Sequence, residues 1–223
     1  MSWIDWFKSS KPRAAFLEGY VAANTEKIPG IRPIDQLTFV ILDTETTGFD
    51  PNSDHVLSFG GIKIKKNILQ IADSVEWYPK TDRQPNATAT VHGILQQRNQ
   101  LELKEFAVKL VEFLGNGILV GHHVGFDLSM LAQILKPFGL SNFLNPVIDT
   151  VQFAIRLDYG PLADLSQIAK EPYSLDQLCT RFGIQLDDRH TAAGDAFLTA
   201  QLFLKMLKEA EKKGIRTYSD LFR

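Results

Sequence analysis

Asp43 and Glu45 stand two residues apart, after the apolar run Phe39 to Leu42 and just ahead of the breaker Gly48. Residues two apart on an extended chain point to the same side, so this pair projects together from a strand end. Two like charges held that close repel unless a cation lies between them, and the hard, oxygen-ligated cation that suits such a pair is Mg²⁺. Two more carboxylates have comparable settings. Asp127 follows the short apolar run Ile118-Leu119-Val120 and the loop Gly121-His122-His123-Val124-Gly125-Phe126. Asp195 lies on the second turn of a helix expected from about Thr191, and His190 precedes that helix by one residue. Four carboxylates can hold two divalent ions ~4 Å apart, which stabilises the attacking and leaving oxygens of an in-line phosphoryl displacement. A histidine beside them can take the proton of the attacking water near neutral pH. The chemistry these residues could do is metal-assisted phosphodiester hydrolysis.

Elements must bring these residues together. Phe39 to Leu42 reads as a strand buried on both faces, because an apolar run bounded by a turn signal has no solvent side. Asp50-Pro51-Asn52-Ser53 is a turn, and His55 to Lys65 and Asn67 to Tyr78 read as two strands joined near Lys66-Asn67. Leu101 to Leu114 has helical period and stops at Gly115. Ile118 to Val120 and Val147 to Thr150 are short strands, the first followed by a helix through Leu135 and the second by one to about Leu157. Ser174 is an N-cap residue for a helix carrying Leu175, Leu178 and Phe182. The helix after His190 should bury Ala196, Phe197, Ala200, Phe203 and Leu207. Strands first and then strands alternating with helices imply an α/β domain with a mixed sheet flanked by helices. Residues 1–36 read as an N-terminal helical extension, with Trp3, Ile4 and Phe7 on one short helix and Phe16, Leu17 and Tyr20 on another, and residues 37–223 as the catalytic domain. The extension is expected to pack on the domain's own surface.

Composition narrows the classes. At 223 residues, 44% hydrophobic and 22% charged, the chain has room for one well-buried domain. Its net charge of −2 argues against a polycationic nucleic-acid coat, though not against a local basic groove. The single Cys179 cannot form an internal disulfide, which fits a cytoplasmic protein, and no apolar run suggests a signal peptide or a membrane span.

FVILDTETTGF (Phe39 to Phe49), LVGHHVGFD (Leu119 to Asp127) and HTAAGD (His190 to Asp195) resemble, in order and spacing, the three motifs of the DEDDh, or DnaQ-like, 3′-5′ exonucleases of RNase H-like fold. ATVHGI (Ala89 to Ile94), VIDTVQFA (Val147 to Ala154) and YSLDQLCTRFGI (Tyr173 to Ile184) are similar to the branch that includes proofreading epsilon subunits of bacterial DNA polymerase III. The resemblance implies that Asp43, Glu45, Asp127 and Asp195 ligate two Mg²⁺ or Mn²⁺ ions, with His190 as general base. It also implies that Thr46, Thr47, His92 and Gly93 help to seat the 3′-terminal nucleotide. His123 stands where relatives usually carry Asn and Ser58 where they usually carry Glu; both bear on the surroundings of the ligands and the grip on the terminal nucleotide. His122 and His123 are expected to order their loop or touch substrate rather than to ligate a hard metal ion. Phe126 is expected to pack beneath the site.

The function so implied is a 3′-5′ exonuclease releasing nucleoside 5′-monophosphates from single-stranded 3′ ends, DNA ahead of RNA, with a DNA polymerase subunit as a partner. RNA 3′-end trimming, or oligoribonuclease-type degradation, is the alternative on the same site. A weakly active polymerase-associated binding module is the alternative of another class. The C-terminal Tyr218 to Phe222 partly resembles a sliding-clamp peptide, but packing on the domain is the reading preferred.

Overall fold

The structure is a computed structural model that describes residues 12–81, 99–164, 166–187 and 189–223. His92, Gly93 and the segment with Trp3, Ile4 and Phe7 lie outside the described residues. A six-stranded mixed sheet forms the centre. Its strands are β1 (Thr38–Thr46), β2 (Val56–Lys65), β3 (Ile68–Pro79), β4 (Gln100–Leu101), β5 (Ile118–Gly121) and β6 (Val147–Asp149), in the spatial order β4-β3-β2-β1-β5-β6. β1 runs antiparallel to β2 and parallel to β5, and β5 runs parallel to β6. The β2–β3 turn is made by Lys66 and Asn67, both at positive φ (53° and 57°), the backbone that a two-residue hairpin matched to strand twist requires.

Helices cover both faces. α1 (Leu17–Ala23), α2 (Leu103–Leu114) and α3 (Gly125–Leu135) lie on one, and α4 (Thr150–Tyr159), α5 (Leu175–Arg181) and α6 (Ala192–Lys212) on the other, with the short α7 (Tyr218–Leu221) at the end of the chain. The alternation along β1 assigns its side chains: Val40 and Leu42 enter the core with α1, α2 and α3, and Phe39 and Ile41 enter the core with α4, α5 and α6. Aromatic packing dominates the first core, where Phe59 meets Trp77, Phe106 and Phe113.

Leu17 and Tyr20 of α1 are buried, and the Tyr20 hydroxyl donates to Asn145 Oδ1 while accepting from the Leu144 amide. Asn145 in turn donates to the carbonyls of Gly115 and Gly117, so α1 is tied to the turn that leads into β5. At the other end of the chain, Leu221 is buried and Arg156 donates to the carbonyls of Asp220 and Leu221. The apolar leucine of the clamp-like peptide is therefore a core residue. One expected core residue is misplaced: Phe197 is partly exposed, because the buried stripe of α6 passes through Ala196, Leu198, Ala200 and Phe203 and leaves Phe197 on its margin beside Gly194 and Gln201.

Candidate active site

The site forms where β1 has passed its last pairing with β5, at Ile41, while still paired with β2. Asp43 and Glu45, in step with Phe39 and Ile41, project to the face covered by α6, and Thr44 projects to the face covered by α3. Asp195 belongs to the first turns of α6. That helix is started by Thr191, whose hydroxyl accepts from the Gly194 amide at 3.0 Å. Carboxylate oxygens of Asp43, Glu45 and Asp195 all lie within 4.8 Å of one another. Asp127 arrives from the opposite face, on the first turn of α3, and is 4% exposed. Its Oδ1 accepts from the Thr44 amide at 2.9 Å and the Thr44 hydroxyl at 2.6 Å. The two layers thus meet around the end of one strand, Asp195 on one side and Asp127 on the other.

Electrostatics match this crowding. Burial pushes the Asp43 carboxyl well above the usual carboxylate range, and the charges of Asp127, Asp195 and Glu45 push it further, against a smaller opposing pull from Arg189. Burial also pushes Asp127 up to about 7, against the bonds from Thr44 that favour its charged form. A group of carboxylates this close is costly in the charged state and fits an oxygen-ligated divalent cation, which removes that cost.

Of the remaining expected residues, the described ones lie on or next to the elements that carry these carboxylates. His190 is exposed at positive φ (65°), two residues before α6 begins. His122 is half-buried, with Nδ1 2.9 Å from the Thr150 hydroxyl, and burial first, then the charges of His123 and Arg189, push its ring down to about 4. His122 therefore stays neutral and ties the β5 loop to α4. His123, exposed and at positive φ (59°), meets His122 edge to face at 4.9 Å. Thr46 donates to the Gly48 carbonyl and Thr47 to Asp54 Oδ1, both at 2.8 Å, so the two threonines shape the loop after β1. Ser58, 5% exposed, lies directly across the ladder from Glu45. A serine there spares Glu45 a like-charged neighbour on the same face.

Three residues beside the site were not singled out from the sequence. Arg189 donates through Nε to Asp176 Oδ1 at 2.6 Å and through Nη1 to Asp195 Oδ1. Its position next to His190 was the available signal. Gly60 faces Asp43 across the β1–β2 ladder and touches the start of α6. Phe49, 89% exposed, packs its ring at 5.8 Å from Phe126 at the mouth of the loop; an exposed aromatic directly after a Thr-Thr-Gly turn was its signal.

The sequence matches the exonuclease family over residues 40–203, from β1 through α6. It is 30% identical over 214 residues to a PolC-type DNA polymerase III of Thermotoga petrophila, with 92% of this chain and 15% of that protein aligned. With a DNA polymerase III subunit epsilon-like protein of Rhodobacter capsulatus it shares 33% identity, over 83% of this chain and 26% of the other. With the DNA polymerase III subunit epsilon of Aquifex aeolicus the identity is 30%, over 83% of this chain and 89% of that subunit. The chain thus spans about a seventh of the PolC-type relative and about a quarter of the epsilon-like one. Among solved structures, E. coli exonuclease I in complex with a dT13 oligonucleotide superposes with a TM-score of 0.64 at 18% identity, covering 80% of this chain and 43% of that one. The fold is accordingly the RNase H-like exonuclease fold. No described helix is long and apolar enough to cross a membrane. Because the matched span starts in the strand that bears Asp43 and Glu45 and ends in the helix that bears Asp195, this chain belongs to the DEDDh, or DnaQ-like, 3′-5′ exonuclease family.

Proposed function

We propose that the chain removes nucleotides one at a time from the 3′ end of single-stranded DNA, releasing nucleoside 5′-monophosphates, with Asp43, Glu45, Asp127 and Asp195 as ligands of two divalent ions. The observation that carries this reading is the convergence of Asp43, Glu45 and Asp195 within 4.8 Å at the end of β1 in a member of an exonuclease family. Bound Mg²⁺ or Mn²⁺ would supply Lewis acidity to the scissile phosphate and charge compensation for the leaving oxygen. Asp43 and Glu45 hold their place by strand register, Asp195 by the capped start of α6, and Asp127 by its two bonds from Thr44. His190, on the approach to α6, takes the proton of the attacking water; removing such a base typically costs ~10²–10⁴-fold in rate. Thr46, Thr47, His92, Gly93 and His123 are the proposed contacts of the terminal nucleotide.

The relatives, which are polymerase III polypeptides or subunits, support a polymerase partner on this reading, and a cytoplasmic setting goes with it. Residues 37–223 are its catalytic domain and residues 1–36 the extension ahead of it, whose described helix α1 is tied to the domain through Tyr20 and Asn24. The test is nucleotide release from 3′-labelled single-stranded DNA and matched RNA, with Mg²⁺ or with EDTA, by the wild type and by His190→Ala. Stepwise shortening of DNA that needs metal and is lost in His190→Ala is expected. Preferential shortening of RNA would replace DNA as the substrate, and no cleavage of either strand by metal-loaded protein would move the binding-module reading to the front.

A further inference from the structure

Arg189 connects two helices across the edge of the acidic centre. Nε reaches Asp176 on α5 at 2.6 Å, Nη1 reaches Asp195 on α6, and the side chain is only 20% exposed. The helix that carries Asp195 is placed independently of this contact. Thr191 caps that helix, and the helix start rests against Gly60 of β2. What Arg189 adds is charge. A guanidinium stays protonated at all relevant pH, and its field extends beyond its partners: it opposes the rise of Asp43 and depresses His122. One cation is therefore built into a ligand set that, on the reading above, also binds dications.

We propose that Arg189 is an internal counter-cation of the acidic centre. It holds the carboxylates together when no divalent ion is bound, and it sets the affinity for that ion by competing for Asp195, while Asp176 draws part of its charge away. This rests on the reading of Asp43, Glu45, Asp127 and Asp195 as metal ligands. A fixed positive charge beside a dication raises the cost of binding it. The same charge relieves carboxylate repulsion in the metal-free protein. Removing Arg189 and removing the Asp176 charge must then shift metal affinity in opposite directions, a pattern that simple loss of folding cannot produce.

The test is Mn²⁺ titration by calorimetry on metal-stripped protein, with melting in EDTA alongside, for the wild type, Arg189→Met, Arg189→Lys, Asp176→Asn and Asp43→Asn. Arg189→Met is expected to bind Mn²⁺ at least ~3-fold more tightly and to melt lower in EDTA, since the competing charge is gone. Arg189→Lys, which keeps the charge but not the two-carboxylate fork, should fall between the wild type and Arg189→Met, and Asp176→Asn should bind at least ~3-fold more weakly. Unchanged or weaker binding by Arg189→Met overturns the proposal; a loss of ~10–100-fold would instead make Arg189 an orienting partner of Asp195. Should Arg189→Met not fold, wild-type affinity in Asp176→Asn overturns it. Wild-type protein that shows no Mn²⁺ binding removable by Asp43→Asn would overturn the ligand assignment itself, and this proposal with it.

Discussion

Gly60 stands directly across the β1–β2 ladder from Asp43, and a Cβ at Gly60 would lie 2.1 Å from the carbonyl oxygen of Ala192, the first residue of α6. Backbone meets backbone here, so neither side can yield by a rotamer change. The close approach lets the start of α6 settle onto β2 and brings Asp195 to Asp43. Gly60→Ala must push that turn away. A misplacement of this kind is expected to lower the exonuclease rate ~10²-fold. The accompanying strain should cost about 1–3 kcal/mol in chemical denaturation. Gly19→Ala, at an exposed helical glycine with nothing within 4 Å, is the control and should leave the rate unchanged. A wild-type rate in Gly60→Ala would show that the contact does not position Asp195.

Much of this was legible in the chain. The strand ending in Asp43 and Glu45, the cap at Ser174, the helix start near Thr191 and the stop at Gly115 follow from local chemistry, and the structure has each of them. Pairings between distant segments were not legible. Nothing in the sequence says that Arg189 reaches Asp176, because that ion pair exists only once α5 and α6 have packed. Gly60 was equally silent, since its role depends on the register that sets it opposite Asp43. Phe197 went the wrong way because one helical stripe can be drawn through either neighbour of Ala196, and only the sheet beneath α6 decides between them.

Phe49 leaves most of its ring in solvent beside Phe126, a face open to a stacking base on the loop that follows Asp43 and Glu45. Base stacking on an aromatic contributes ~1–3 kcal/mol per base. Phe49→Ala should therefore raise the KM for single-stranded DNA by ~10-fold or more while the melting temperature hardly moves, because little buried surface is lost. Steady-state kinetics on a labelled oligonucleotide with parallel melting decides it; an unchanged KM would remove Phe49 from the substrate path.

Tyr20 gives α1 a measurable role in stability. Its hydroxyl donates to Asn145 and accepts from Leu144, joining α1 to the entry of β6 and, through the Asn145 side chain, to the turn before β5. Tyr20→Phe keeps the ring and strands those partners, which should cost about 1–3 kcal/mol in urea denaturation. Exonuclease activity below the melting transition should be unaffected, since the bond lies away from the carboxylates. A loss of activity without a loss of stability would mean that α1 acts on the site and not merely on the fold.

The carboxylates should make the metal-free protein sensitive to pH in an unusual direction. Asp127 titrates at about 7 in the folded protein and Asp43 well above the ordinary range, whereas both titrate near ~3.9 in an unfolded chain. Between those limits the folded state holds protons that the unfolded chain has already released, so unfolding becomes easier as pH rises. These two groups thus withdraw stability from about pH 4 upward, and for Asp127 the loss is complete above about pH 7. A bound divalent ion favours the deprotonated carboxylates and opposes the loss, so its affinity climbs over the same range. In EDTA the melting temperature should fall from about pH 5 to about pH 8, with excess Mn²⁺ it should fall far less, and the gap between the two curves should widen with pH. Asp43→Asn should flatten the EDTA curve and narrow the gap together, because it removes a shifted group and a proposed ligand at once. A gap that stays constant across this range, or that survives Asp43→Asn, would mean that Mn²⁺ stabilises the protein somewhere other than at these carboxylates.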